Sequence, residues 1–353
     1  MAKIIVTAPI TLIKTMTVNN RSEFVLLYDA QNANPNGNPL SANDMPRVDS
    51  DTQQAIVTDV RLKRYLRDQL EDDGFGIYIR NPQRKNEVAE GRDYLFEDLF
   101  GDSIDEILED DDRNLFEEFL ENATDTRYFG ATLSFSEQVD ERLDDEDDVS
   151  IPQYTGPLQF SHGRSLNRVV HNDESKKLST VVTSGGDADQ GTFAEDNRLE
   201  YALVRFHGVL NENAADSTNM TEEDVERLDS LFWRAIRNQT LTRSKMGHNP
   251  QLYLRVEFEN GYHDGELHHT VSLDEDRSES DLEMRSVNDA VVSVKDLFDR
   301  LGEVNERVEQ VVVKAGKYAT FSAEGDEFGR EEFYDRLEDE AGVDVTVPDV
   351  YDR

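Results

Sequence analysis

The chain has 353 residues, 76 acidic and 37 basic, and a formal net charge of −39. A surplus of that sign excludes general attraction to nucleic-acid phosphates at low salt, and the absence of cysteine excludes disulfides, thiolate metal centres and a cysteine nucleophile. The basic residues divide into 27 Arg and 10 Lys, and acids spread along the whole chain with Lys scarce predict a solvated surface suited to a salt-rich cytoplasm.

In molar salt the Debye length falls to roughly 3 Å, so only charges in contact matter and local basic islands become the informative feature. At about 150 residues per domain the length allows one elaborated domain or two, and a single one over 1–353 is expected. Met1 to Thr7 lacks a secretory signal's apolar run and cleavage site, and no segment approaches the roughly 20 apolar residues of a membrane span. A soluble cytoplasmic protein is the expectation.

Residues 1–20 are a mixed, partly β-branched lead-in. Phe24 to Ala30 predicts an apolar strand. Gln31 to Pro39 (Gln-Asn-Ala-Asn-Pro-Asn-Gly-Asn-Pro) is irregular, because its prolines lack amide donors and Asn-Gly tolerates positive φ. A second irregular piece, Met45 to Thr52, leads into a helix predicted over 56–70. There Leu62, Tyr65, Leu66 and Leu70 recur at three- and four-residue steps, and Arg61, Arg64 and Arg67 form a stripe beside Lys63. Against Asp59 and Asp68 this window carries a net +2, a local reversal of sign.

Gly76 to Arg80 reads as a strand, 93–122 as short acidic amphipathic helices, and 127–136 as a strand with Gly130 at a close approach or bulge. Residues 140–148 hold seven acids in nine positions. They read as a solvated loop, since the spacing and central Gly of a calcium loop are missing. Gly156 to His171 contains no acid, two Arg and two His. Residues 172–197 suggest a protruding hairpin, so 137–200 is expected to be an insertion with an acidic loop and a thumb-like hairpin. A strand over 201–210 is followed by a helix over 221–238, with Thr221 as cap and an acidic first turn. Trp233 to His248 carries Arg234, Arg237, Arg243 and Lys245 and no acid. A strand over 251–258, a helix over 287–301, a strand over 311–314 and an acidic peripheral tail over 324–353 complete the chain.

The order 24–30, 56–70, 127–136, 201–210, 221–238 and 251–258 gives β-α-β-β-α-β. The expected fold is α+β, with a ferredoxin-like or RRM-type core and large insertions. The strand, the Asn-Pro-Asn-Gly-Asn-Pro loop, Pro46-Arg47-Val48-Asp49 and Val57 to Arg64 together resemble the repeated backbone subunit of type I-B CRISPR Cascade complexes, in the RAMP superfamily. Further similarity lies at Arg127 to Gly130, Gly156 to Arg168 and Ser244 to Gly247. The resemblance implies the same fold, with a palm and a thumb. It implies a multi-copy subunit that polymerises along CRISPR RNA and holds the guide for pairing with target DNA. Its partners would be head-to-tail copies of itself, the other Cascade subunits and, after target recognition, a helicase-nuclease. No catalytic site, cofactor, metal or membrane partner is expected.

The candidate RNA-binding residues are Asn34, Asn36, Gly37, Arg47, Arg61, Lys63, Arg64, Ser161, His162, Arg164, Arg168, Arg243, Ser244 and Lys245. An Arg fork bonds phosphate bidentately and does not rest on long-range charge alone. Each Arg could instead pair with the abundant carboxylates, and the Asn-Pro-Asn-Gly loop could be a turn that only shapes the strand exit. His162 could be a general base, an RNA contact or structural. His263, Asp264, Glu266, His268 and His269 offer ligand atoms but match no metal spacing, so a polar hairpin is expected. No P-loop, dinucleotide fingerprint, nucleophile elbow or zincin motif occurs, which disfavours an ordinary metabolic enzyme. Two rivals stand beside the backbone subunit: a type III-like subunit that cuts target RNA with Asp49 or Asp51, and a halophilic scaffold or single-strand-binding protein.

Overall fold

The computed structural model describes residues 17–37, 44–80, 93–110, 112–135, 151–172 and 196–351, with positions 139, 143, 178–179 and 193–194. The predicted acidic loop at 140–148 and most of the thumb-like hairpin at 172–197 lie outside the described residues.

The fold is α+β and is organised on β1 (Arg21–Ala33). Phe24, Leu26 and Tyr28 enter one core while Val25 and Leu27 enter another on the opposite face. A strand covered on both faces has no need of polar alternation, which is why this run is continuously apolar. β9 (Leu199–Leu210) and β10 (His248–Phe258) flank it antiparallel, with Leu26 opposite both Phe206 and Tyr253. β6 (Gly163–Arg168) pairs with the far side of β9, and β2 (Gln54–Val57) closes that edge on β6. On the other edge β13 (Val308–Ala315) and then β16 (Val345–Thr346) extend the sheet from β10.

In chain order β1, α1 (Asp59–Asp72), β6, β9, α7 (Glu222–Arg237) and β10 run β-α-β-β-α-β, with spatial order β10-β1-β9-β6 and every neighbour antiparallel. α1 and α7 bury Leu62, Leu66, Leu228 and Leu231 in the core on the Phe24 face. α7 starts as its sequence dictates: Thr221 and Asp224 form a reciprocal capping box. The opposite core is covered by α8 (Lys295–Val304), α9 (Arg330–Ala341) and a small sheet containing β12 (Val291–Ser293) and β14 (Thr320–Ala323).

Several expected elements are corrected. Of the predicted strand at 127–136, residues 127–129 end α5 (Thr124–Phe129) and, among the described residues, only 130–132 form a strand, the short β3 (Gly130–Thr132), which pairs with β4 (Gln153–Thr155) off the main sheet. Gly130 has φ +72° and a Cβ there would lie 2.3 Å from the Tyr154 carbonyl, so the chain turns and passes backbone against backbone at this point. The second strand of the central unit is therefore β6. The helix predicted from 56 begins at Asp59, because Ile56 and Val57 pair with β6 and Thr58 caps α1 by accepting from the Arg61 amide. Residues 76–80 are not a strand. The helix predicted over 287–301 resolves into a 3₁₀ turn, β12 and α8. The tail is not peripheral: Phe333 and Leu337 of α9 are fully buried in the second core.

Candidate nucleic-acid interface

Residues 34–37, directly after β1, are tied down by hydrogen bonds. The Asn36 side-chain oxygen accepts from both the amide (3.1 Å) and hydroxyl (3.0 Å) of Thr58, tying the loop to the first turn of α1. The Arg47 amide donates to the Asn36 carbonyl, and Gly37 bridges to Pro46. Asn34 is buried, donates its side-chain amide to the Asp44 carbonyl (2.8 Å) and its backbone amide to Ser244 (2.8 Å). Asn34 and Asn36 thus shape the loop through their side chains.

Lys245 arrives from the segment between α7 and β10. Its ammonium donates to the Asn34 carbonyl. Burial first, then Arg61 nearby, pulls its pKa down to about 7, only partly offset by Asp44. Beneath it lies a buried group that sequence reasoning missed: His248, with Tyr28 at 5.4 Å and Tyr65 at 6.0 Å between ring centroids. Burial, then Lys245 and Arg61, holds His248 down to about 3, so its ring is neutral. Tyr65 donates to the Pro35 carbonyl (3.2 Å), and the Arg61 guanidinium lies 5.9 Å from the Tyr65 ring centre. Arg47, Arg61 and Lys245 have no carboxylate ion pair among the described residues.

The remaining candidates are placed differently. Lys63 pairs with Asp59 (3.6 Å) and donates to Gln159 (2.8 Å); Arg64 pairs with Asp68 and donates to the Ile79 carbonyl (3.0 Å). Arg67 is buried against Asp125 at 2.7 Å and is a fold residue. Arg164 pairs with Asp49 (2.9 Å), Arg168 with Asp281 (3.0 Å) and Arg243 with Asp196 (2.7 Å), all on exposed side chains. Ser161 binds the His207 carbonyl through its amide, and His162 is exposed, 3.8 Å from Asp59. So Asn34, Asn36, Gly37, Arg47, Arg61, Ser244 and Lys245 come together, whereas Lys63, Arg64, Arg164, Arg168 and Arg243 are each paired with an acid, Ser161 bonds the His207 carbonyl and His162 lies near Asp59.

The profile described as CRISPR-associated protein Cas7 matches residues 20–295, and a CRISPR-associated protein Cas7 of Haloferax volcanii is 44% identical over 343 residues, covering 95% of this chain and 98% of that protein. The chain belongs to the Cas7 family. The matched region takes in both the loop after β1 and the segment around Lys245, and it ends before β13 and α9. Among solved structures, a chain of a "CRISPR RNA-guided surveillance complex, pre-nicking" covers 94% of this chain and 97% of its own length at 11% identity and a TM-score of 0.48. A chain of a "CRISPR RNA-guided surveillance complex" covers 86% and 91% at 12% identity and a TM-score of 0.39.

Proposed function

We propose that this Cas7-family chain is the multi-copy backbone subunit of a type I-B Cascade surveillance complex, binding CRISPR RNA and presenting the spacer for pairing with target DNA. The observation that carries the reading is the group Arg47, Arg61 and Lys245, cations without a carboxylate ion pair among the described residues of a chain with net charge −39. Elsewhere on the candidate surface Arg164, Arg168 and Arg243 are each matched by an acid. Leaving cations unmatched against that background is consistent with an anionic partner, and the tied segment 34–37 beside them offers backbone and amide groups to a phosphate backbone.

The protein acts by binding, with specificity delegated to guide–target pairing. Its further partners are head-to-tail copies of itself, whose open heterologous contact builds a filament, the other Cascade subunits, and a helicase-nuclease recruited after target recognition. It works in the salt-rich cytoplasm, where contact charges outlast screening. No helix among the described residues is long and apolar enough to cross a membrane.

The RNA-cutting alternative has Asp49 or Asp51 as its carboxylate. Asp49 accepts from the amides of Asp51 (3.0 Å) and Thr52 (3.2 Å) and pairs with Arg164, an arrangement suited to a turn anchor. The test is RNA sequencing of protein purified in high salt from a native host. Enrichment of repeat-spacer RNA, lost on joint substitution of Arg61 and Lys245, is expected. Intact protein with no such RNA overturns the reading, and metal-dependent target cleavage abolished by Asp49→Ala would favour the alternative.

A further inference from the structure

Glu23 of β1 is fully buried, yet the basic side chains beside its carboxylate are histidines rather than Arg or Lys. His207 Nε2, on the adjacent β9, lies 2.8 Å from Glu23 Oε1. The turn at 263–270 closes over the pair: the amides of Leu267 and Gly265 donate to the two carboxylate oxygens at 3.0 and 2.9 Å, and His263 Nε2 lies 3.9 Å from Oε2. The His268 ring stacks on His207 with centroids 4.3 Å apart, and His269 lies 4.0 Å beyond. Four of the chain's seven histidines thus lie in one place.

We propose that Glu23, His207 and His268 form a binding site for a transition-metal dication of the zinc class, with His263 as the nearest further donor. One ligand atom from each of the three residues falls within 4.8 Å of the others. Tetrahedral bonds of about 2.0–2.1 Å separate ligand atoms by roughly 3.4 Å, so a gap wider than that must close by at most about 1.4 Å and the 2.8 Å His207–Glu23 pair must open slightly. The Nδ1 of His268 is buried without a hydrogen-bond partner, which a bound cation would satisfy. Two imidazoles and one carboxylate select zinc, cobalt or nickel over magnesium and calcium, which favour all-oxygen shells.

The set is invisible as a linear motif because its members come from β1, β9 and a turn some 240 residues from Glu23. A bound ion would pin that turn across two central strands, on the sheet surface away from the Arg61–Lys245 group.

The test uses tag-free, chelator-treated protein in molar KCl, titrated with Co²⁺ as the probe. Expected is one saturable equivalent with a tetrahedral visible absorption band, displaced by Zn²⁺ and untouched by excess Mg²⁺. Binding should weaken at least tenfold in His268→Gln and in His207→Asn, while His269→Gln retains it. Far-UV circular dichroism shows whether each variant is folded. If His207→Asn unfolds, His268→Gln decides, since its ring sits on a surface turn. No saturable equivalent in the unsubstituted protein, or unchanged binding in folded His268→Gln, overturns the proposal.

Discussion

The ammonium of Lys245 donates to the backbone carbonyl of Asn34, 211 positions earlier in the chain. That bond joins the segment after α7 to the loop after β1, and it holds a buried cation beside a second one, Arg61. Two positive groups kept together with little local compensation are costly to an isolated protein and useful to one that meets a phosphate.

The first prediction is a proton linked to RNA binding. With a folded pKa of about 7 against an ordinary 10.5, Lys245 is only partly charged at neutral pH. A phosphate placed against it favours the charged form, so binding takes up a proton. Affinity should fall as pH rises above about 7, by up to about tenfold per unit, and Lys245→Arg should flatten the dependence. The same depression means that the unfolded chain holds more protons between about 7 and 10.5, so this residue makes folding more favourable as pH rises through that window. Dissociation constants across pH, and calorimetry in two buffers of different ionisation enthalpy, check the coupling.

A second prediction separates structural from functional arginines on one helix. Asp125 is fully buried and takes Arg67 at 2.7 Å with the amides of Tyr78 (2.8 Å) and Ile79 (3.2 Å). Asp125→Ala should cost about 3–5 kcal/mol by leaving Arg67 uncompensated. Arg61→Ala should leave the denaturation midpoint within about 0.5 kcal/mol of the parent, because it breaks no ion pair, and should weaken RNA binding. Equal stability losses in the two variants would contradict the assignment.

How much of this was legible in the sequence follows from what each residue touches. The continuous run in β1 and the capped start of α7 are local signals, and both elements form where they were read. The strand at 127–136 was misread because Tyr128 and Phe129 look β-prone, whereas α5 buries Tyr128 against α7, where its hydroxyl donates to the Asp224 carbonyl. β6 was overlooked as a core strand because its outward Arg164 and Arg168 drew attention to charge, although inward Ser165 and Asn167 alternate with them. Of the basic islands, the sign reversal was visible; which Arg already had an acid was a property of the folded surface. His248, directly after Gly247, could have been found as a histidine inside the longest acid-free run, 230–256, which carries five basic residues.

Asn36 gives a third prediction. Its side-chain oxygen accepts two bonds from Thr58, which in turn caps α1, so Asn36→Ala removes both acceptor contacts at a buried site. The expected loss is about 1–3 kcal/mol in chemical denaturation, while Asn36→Asp, which keeps the oxygen, should recover most of it. RNA affinity should drop with Asn36→Ala even at temperatures where the fold is intact, since the side-chain tie to Thr58 that it removes also anchors the backbone to which the Arg47 amide is bonded.

The last prediction concerns Gly247, whose carbonyl accepts from the Gln31 amide at 2.9 Å. A Cβ on Gly247 would lie 1.9 Å from the Gln31 carbonyl oxygen, a backbone atom that cannot swing aside. Gly247→Ala must therefore push the Ser244–His248 segment away from the end of β1, breaking the Lys245–Asn34 contact while leaving every charge in place. If the cation group acts through position, RNA affinity should fall at least tenfold with Gly247→Ala, and the salt slope should shallow by about 0.7, as for loss of one phosphate contact to a single strand. Retained affinity and an unchanged slope in the folded variant would show that the charges alone suffice, and that the segment tied by Asn34 and Asn36 is not what aims Lys245.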